Sequence, residues 1–216
     1  MTRAVVFDLD GTLIDSAPDM HAAAAAMLAA LDRRVVSLDE IRRFVGNGVP
    51  KLVERCLAAT GDGDSEALKE EALGLFQRAY IVAPAALTRP YPGVVDALTR
   101  LSGAGLALGL ATNKPAAPTE KILRALDLER FFDVVLGGDS LPVMKPDPEP
   151  LLTAIRRLGG GPAVFVGDSE TDEATAVNAG VPFHFFTGGY RRKPAVEFSA
   201  AFTFDRFEDL APKLGA

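Results

Sequence analysis

Apolar positions along this chain come in two rhythms. Four short runs are apolar almost throughout, and each stops at a small or polar residue: AVVF before Asp8, LALGLA before Thr112, DVVLGG before Asp139, and AVFV before Gly167 and Asp168. A fifth, PFHFF, stops at Thr187 and Gly188. From the second run onward the gaps carry helical patterns. PAAPTEKILRALDL follows Asn113, EPLLTAIRRLG follows Pro148, and ETDEATAVNAG follows Ser169, with Gly180 as a C-terminal stop. Strands alternating with helices predict βαβ units, and hence an α/β fold with a doubly wound, mostly parallel sheet covered on both faces. In such sheets the polar residues at the carboxyl ends of the strands converge on one crevice. Asp8, Thr112 and Asp168 end different strands, so they are expected to be distant in sequence and close in space.

One gap departs from this rhythm. The stretch between the first and second runs is far longer than a simple crossover, and from Pro18 to about Ala86 it reads as helix after helix. MHAAAAAMLAALD is one and SLDEIRRFVG a second, with Ser37 as cap and Glu40 three residues later. VPKLVERCLAAT is a third and SEALKEEALGLFQRAYIVA a fourth. This predicts an inserted all-helical domain, residues 16–87, on a core made of residues 1–15 and 88–216. The boundaries fall at DSAPD and PAALTRPYPG, two chain crossings placed side by side, a natural hinge.

Composition changes this picture mainly by exclusion. The 216 residues are 48% hydrophobic and 24% charged, ordinary values for a globular protein. A net charge of −6 and a pI near 5.0 argue against binding a nucleic-acid backbone, which needs a basic face. MTRAVVFDLDG is too soon acidic for a signal peptide, and the alanine-rich run from Ala22 to Leu31 is much shorter than a bilayer span. No membrane partner is expected, and a cytoplasmic location is the default. The single cysteine, Cys56, reads as core filler, and His21 and His184 read as structural. Chemistry therefore falls to carboxylates and lysines.

Asp8 and Asp10, two apart in an extended chain, would face the same way and repel. A bound cation removes that penalty, and magnesium suits it as a hard ion that takes carboxylate and phosphate oxygens. Gly11 lets the backbone turn and approach a ligand closely. A strand-end turn with solvated acids is the other reading. The segment VGDSETD weakens it, because another apolar run ends in Asp168, with Asp172 one helical turn later. Asp172 alone could be an N-terminal helix charge, which leaves Asp168 as the better metal ligand. TNK, residues 112–114, places a hydroxyl, an amide and a positive charge at a strand-to-helix junction, where N–H groups attract anions or Thr112 and Asn113 simply cap the helix. Lys145, followed by Pro146, sits on a loop and gains interest only from this company.

DLDGTLIDS, TNK, the Lys-Pro pair and GDSETD, in that order, resemble the four signature segments of the haloacid dehalogenase-like superfamily. The likeness covers essentially the whole chain, and the helical insertion matches the cap that family carries on its Rossmann-like core. Within it the closer likeness is to the phosphoglycolate phosphatases, carried by TNKP, by GGDSLPVMKPDPEPLL and by RRFVGNGVPKLVERCL. The resemblance implies that Asp8 is a nucleophile forming an aspartyl-phosphate and that Asp10 is the acid and then the base. It implies magnesium held by Asp8, the backbone carbonyl of Asp10, and Asp168, with Asp172 in support. Thr112 and Asn113 would hold phosphate oxygens, and Lys145 would neutralise charge on both phosphate and Asp8.

In the cap, FVGNGVPK is either a helix–helix turn or a substrate loop, with Gly46 and Gly48 freeing the backbone around Asn47. The resemblance favours the loop. Arg43 and Lys51 flank it as candidate readers of a substrate carboxylate. YRRKP, residues 190–194, reads as a solvated loop. The expected ligand is a small phosphomonoester, foremost 2-phosphoglycolate, and the expected assembly a monomer or small homo-oligomer. Asp10 and Gly11 disfavour the dehalogenases, which attack carbon without a metal. Another small phosphoester, a sugar phosphate or a phosphosugar mutase remains compatible with the motifs. A phospho-accepting receiver domain shares the clustered acids, but it is about half this length and lacks a cap. No G-x-G-x-x-G follows the first strand to suggest a nucleotide binder.

Overall fold

Val5 and Phe7 of β1 (Ala4–Phe7) face one side of a sheet and Val6 the other, and all three are fully buried. A strand with no wet face needs a helical layer on each side. The computed structural model describes residues 2–61, 65–82 and 85–216. After β1 come β2 (Ile14–Asp15) and four helices, α1 (Ala17–Ala30), α2 (Leu38–Phe44), α3 (Val49–Thr60) and α4 (Glu66–Val82). The chain returns through β3 (Arg89–Pro90) to α5 (Val94–Gly103), β4 (Ala107–Ala111), α6 (Ala116–Ala125) and β5 (Val134–Leu136). It finishes with α7 (Glu149–Arg157), β6 (Ala163–Gly167), α8 (Glu170–Ala179), β7 (Phe183–Phe186), β8 (Phe202–Phe204) and α9 (Leu210–Leu214).

Six of these strands form one parallel sheet in the order β5-β4-β1-β6-β7-β8. The chain fills one side of β1 and then crosses to the other. That reversal opens a crevice at the carboxyl ends of β4, β1 and β6. Helices α5, α6 and α9 bury Leu98, Leu101, Ile122, Leu123 and Leu210 on the face of Val5 and Phe7. Helices α7 and α8 bury Leu151, Ala154, Ile155 and Ala176 on the face of Val6 and Phe165. The doubly wound α/β expectation is met.

Beyond the short β2–β3 pair at the crossings, α5, β8 and α9 exceed the sequence reading. The stripe Val94, Ala97, Leu98 and Leu101 in α5 has helical spacing and was legible. β8 and α9 are three and five residues long, too short for a period to register, and they form because Phe204, Phe207 and Leu210 are buried against the sheet.

Between β2 and β3 the four helices build their own apolar cluster. Ala23 and Ala24 keep the inner face of α1 low, and α4 packs along it. α2 opens with the expected capping box. The Glu40 N–H donates to Ser37 Oγ at 3.2 Å, and the Ser37 N–H donates to Glu40 Oε2 at 2.7 Å. The two crossings lie side by side, Ile14 opposite Pro90 and Asp15 opposite Arg89 in an antiparallel pair. Among the described residues, no helix is long and apolar enough to cross a membrane.

Asp19, buried in the first turn of α1, ties those crossings together. Its carboxylate accepts the Leu87 N–H at 3.0 Å, the Thr88 N–H at 2.8 Å and the Thr88 hydroxyl at 2.6 Å. Asp19→Ala leaves buried donors of Thr88 without a partner and is expected to destabilise the protein by about 2–3 kcal/mol. Urea unfolding followed by circular dichroism measures this. A loss within experimental error would show that the crossings are held by packing alone.

Candidate active site

The crevice begins where β1 stops. Asp8 still donates its N–H to the Val166 carbonyl of β6 at 2.9 Å. The chain then leaves the sheet, and Gly11, at φ 89°, returns its N–H to the Ile14 carbonyl at 2.9 Å. Only glycine fits there, since a Cβ would strike the Asp168 carboxylate and lie 2.8 Å from the Tyr190 ring. Besides the ligand approach expected of it, the missing Cβ of Gly11 makes room for Asp168 and Tyr190.

The turn also separates the two acids. Asp8 Oδ1 lies 2.7 Å from Lys145 Nζ. Asp10 instead meets Lys114, whose Nζ is 3.1 Å from Oδ2, and it accepts the Ser16 hydroxyl at 2.5 Å. The expectation that both carboxylates face one way assumed an extended chain. Because β1 ends at Phe7, each acid has its own lysine.

Asp168 follows β6 and is held by the Thr12 hydroxyl on Oδ1 and the Tyr190 N–H on Oδ2, both at 2.6 Å. Asp172, in the first turn of α8, takes Lys145 on Oδ1 at 2.7 Å. Its Oδ2 accepts the Asp168 and Ser169 N–H groups and the Ser169 hydroxyl. Both readings of Asp172 therefore hold at once, helix-capping charge and member of the acid cluster.

Carboxylate oxygens of Asp8, Asp168 and Asp172 lie within 4.8 Å of one another. Burial pushes Asp8 up to about 6 against the pull of Lys145, and burial with its acidic neighbours pushes Asp168 well above the usual carboxylate range. Lys145 is held above its ordinary value, because Asp172 and Asp8 outweigh its own burial. Ionised together, the three buried carboxylates would exceed the one ammonium by two negative charges. An all-oxygen donor set with that deficit fits a hard divalent cation.

The far wall is set by Asn113. Its Oδ1 accepts the Lys145 N–H at 2.9 Å, and its Nδ2 donates to the Lys145 carbonyl at 2.9 Å and to the Gly46 carbonyl at 3.1 Å. This amide, expected on phosphate or as a helix cap, fastens the lysine loop to the loop of the insertion from the crevice wall. Thr112 Oγ1 accepts the Lys114 N–H at 3.2 Å. Across the gap, Asn47 Nδ2 donates to Thr171 Oγ1 at 3.3 Å while Arg55 donates to Asn47 Oδ1 at 2.7 Å. The loop joining α2 to α3 is thereby closed over the crevice.

The cavity under this loop is about 40 Å³, lined by Asp8, Asp10, Thr112, Asn113, Lys114 and Lys145 from the core and by Val45, Gly46, Gly48, Val49, Met20 and Leu52 from the insertion. A wider cleft of about 730 Å³ adjoins it, with Asn47, Lys51, Glu54 and Asp139 on its walls. Of the two proposed carboxylate readers, Lys51 is half exposed and paired with Glu54 at 2.7 Å, and Arg43 is exposed and lines neither space. Neither reaches the closed crevice.

Sequence reasoning missed Ser16, Ser169, Gly189 and Tyr190. Tyr190 heads the segment read as solvated loop, yet it is buried, with its N–H on Asp168 and its hydroxyl 2.5 Å from Asp15 Oδ1. The only local signal is the preceding Gly188-Gly189, since a Cβ on Gly189 would strike Asp168 and the Gly11 carbonyl. Structural readings held elsewhere. His21 bonds the Val36 carbonyl at 2.8 Å. Burial depresses His184 to about 4 and raises the Cys56 thiol to about 12, so both are neutral core residues.

A family model for the haloacid dehalogenase-like hydrolases matches residues 2–180. The chain belongs to this family. Among haloacid dehalogenase-like relatives, a phosphoglycolate phosphatase of Cereibacter sphaeroides is 45% identical over 95% of this chain and 94% of its own. A crystal structure from Haemophilus somnus, described as a predicted phosphoglycolate phosphatase, superposes with a TM-score of 0.94 at 30% identity, covering 100% of this chain and 98% of that one. CbbY from Rhodobacter sphaeroides, solved in complex with phosphate, gives 0.81 at 26% identity over 97% and 96% of the two chains.

The raised carboxyl pKa of Asp8 has a definite sign in stability. Its unfolded value of 3.8 rises to about 6 on folding, so the folded state binds the proton more tightly. Without divalent cations, stability is expected to fall as pH rises from about 4 to about 6 and to level off above, and millimolar magnesium should flatten that slope. Thermal melts across this range, with and without chelator, test it. Rising stability over the same window in chelator would contradict the burial argument.

Proposed function

We propose that this chain is a magnesium-dependent phosphomonoester hydrolase that turns 2-phosphoglycolate into glycolate and phosphate through an aspartyl-phosphate on Asp8. The observation that carries the reading is the closed, charged crevice: a nucleophile-grade carboxylate, a second acid beside it and two buried lysines around about 40 Å³. That space is far below the ~300–1,000 Å³ of pockets for larger ligands, and it suits a phosphoryl group carrying only a few further atoms. The names of the relatives point to the same substrate.

Residues 1–15 and 88–216 act in this proposal as the catalytic core, with 16–87 as the cap that closes on it. Magnesium, held by Asp8, Asp168 and the Asp10 backbone carbonyl with Asp172 in support, would supply the two missing positive charges and polarise the phosphoryl oxygens. Asp8 attacks phosphorus through Oδ2, the oxygen that Lys145 leaves free. As the P–O ester bond breaks, the glycolate oxygen takes a proton from Asp10, which Ser16 and Lys114 hold in place. Asp10 then takes a proton from water, whose oxygen attacks phosphorus, releasing phosphate and restoring Asp8. Thr112 and Asn113 sit on the crevice wall for the phosphoryl oxygens, and Lys145 spreads its charge over phosphate and nucleophile. The closed loop excludes competing water during the first step.

A second reading has one observation in its favour. The outer cleft is roomy enough for the sugar of a phosphosugar whose phosphate enters the crevice.

Phosphate release from 2-phosphoglycolate, p-nitrophenyl phosphate, sugar phosphates, pyrophosphate and nucleoside monophosphates, with magnesium and with chelator, separates these readings. Metal-dependent release led by 2-phosphoglycolate is expected, and leadership by a sugar phosphate would transfer the substrate to the second reading. Asp8→Asn and Asp10→Asn are each expected to lower kcat by about 10³-fold or more with the fold intact. Appreciable turnover by the folded Asp8→Asn variant would sink the covalent mechanism.

A further inference from the structure

Lys114 is a buried cation of the crevice whose charge the mechanism uses only to steady Asp10. Its side chain is 3% exposed, and its Nζ lies 3.2 and 3.1 Å from the two Asp10 oxygens. Above it stands Tyr80 of α4, with Nζ 4.9 Å from the ring centroid. Tyr80 is itself 7% exposed, and its hydroxyl neighbours the Lys114 ammonium, a donor, but meets no acceptor for its own proton among the described residues. A buried phenol normally finds a partner, so this one points to a missing acceptor. Met20 and Leu52 of the insertion line the same cavity and add apolar walls.

We propose that Lys114, assisted by the Tyr80 hydroxyl, binds the carboxylate of the substrate and so selects phosphoglycolate over phosphate esters that lack an acid. This rests on the reading of 2-phosphoglycolate as the substrate. Covalent geometry fixes where such a cation must stand. The leaving oxygen takes its proton from Asp10, and the carboxylate of phosphoglycolate is one methylene away from that oxygen. The cation that reads it must therefore sit beside Asp10, where Lys114 is. An ammonium has three N–H donors, so it can serve Asp10 and a substrate carboxylate together. Lys114 pairs with Asp10 at 3.1 Å and lies under the Tyr80 ring, so the ammonium and the phenol can both turn a hydrogen toward an acid placed between them. Lys51 and Arg43 stand outside the closed cavity and cannot supply this contact.

The test uses a non-hydrolysable pair that differs only at the acid: 3-phosphonopropionate, which keeps the carboxylate, and propylphosphonate, which replaces it with a methyl. Calorimetric affinities for both are measured with magnesium on the full chain. The wild type is expected to prefer 3-phosphonopropionate, and Lys114→Met is expected to cut that preference about ten- to a hundredfold. The ratio of the two affinities is the readout, because a weakening confined to the shared phosphonate end cancels in it. A ratio unchanged in Lys114→Met overturns the inference and leaves the substrate reading standing. A wild type without preference, together with equal turnover of 2-phosphoglycolate and 2-hydroxyethyl phosphate, overturns the substrate reading itself. If Lys114→Met does not fold, Lys114→Gln, which keeps a donor for Asp10, is read by the same ratio. Tyr80→Phe is expected to lower the ratio severalfold, and no change there removes Tyr80 from the site.

Discussion

Three carboxylates and one ammonium, buried at the carboxyl edge of the sheet, constrain everything around them. Unbalanced buried charge is tolerated only where hydrogen bonds and a counter-ion converge on it. The donors that converge on Asp168 and Asp172 come from different parts of the chain: Thr12 after β1, the backbone at the start of α8, and Tyr190 beyond β7. Gly11 and Gly189 pack against Asp168 so closely that a Cβ on either would strike it. The loops above the sheet are thus ordered largely by the charge they surround, a set that a divalent cation would complete rather than create.

The same charge reaches the junction with the helical insertion. Tyr190 puts its N–H on Asp168 and its hydroxyl between Asp15 and the Ala17 N–H, which begins α1. Arg42 of α2 meets the other oxygen of Asp15 at 3.3 Å. One aromatic side chain therefore spans from the acid cluster to the first crossing, while Asp19 and Thr88 bind the second crossing to α1. Any movement of the insertion must pivot on residues held at one end by the site itself. Coupling between cap position and the acid cluster follows from shared hydrogen bonds alone.

Strand ends were legible in the sequence because buried parallel strands are apolar runs, and those runs stopped at Asp8, Thr112 and Asp168. The capping box at Ser37 and the stop at Gly180, where φ is 65°, were legible because they are local chemistry. What escaped was set by tertiary contact. Apart from Gly188-Gly189, no residue near YRRKP signals that its tyrosine will be drawn inward by Asp168. β8 and α9 owe their existence to aromatic burial on a sheet edge. Arg43 and Lys51 looked suitable because they flank the cap loop in sequence, but helical geometry turns one to solvent and the other to the outer cleft. Lys114 was visible as a charge in TNK; only the turn after β1, which sends Asp10 away from Asp8, shows which acid it meets.

Asn113 shows how closing the crevice and preparing it for chemistry become one event. A single amide holds the Lys145 backbone on one side and the Gly46 carbonyl of the cap loop on the other. Opening the loop removes an acceptor from Asn113 Nδ2, the same atom that helps to fix the lysine facing Asp8. With the loop shut, water leaves and the attraction between Lys145, Asp8 and an incoming phosphoryl group strengthens as the local dielectric falls. With it open, those charges are screened and the lysine loses part of its support. An enzyme built this way needs no separate signal to couple closure to reactivity, because the side chain that senses the loop is the one that aims the charge.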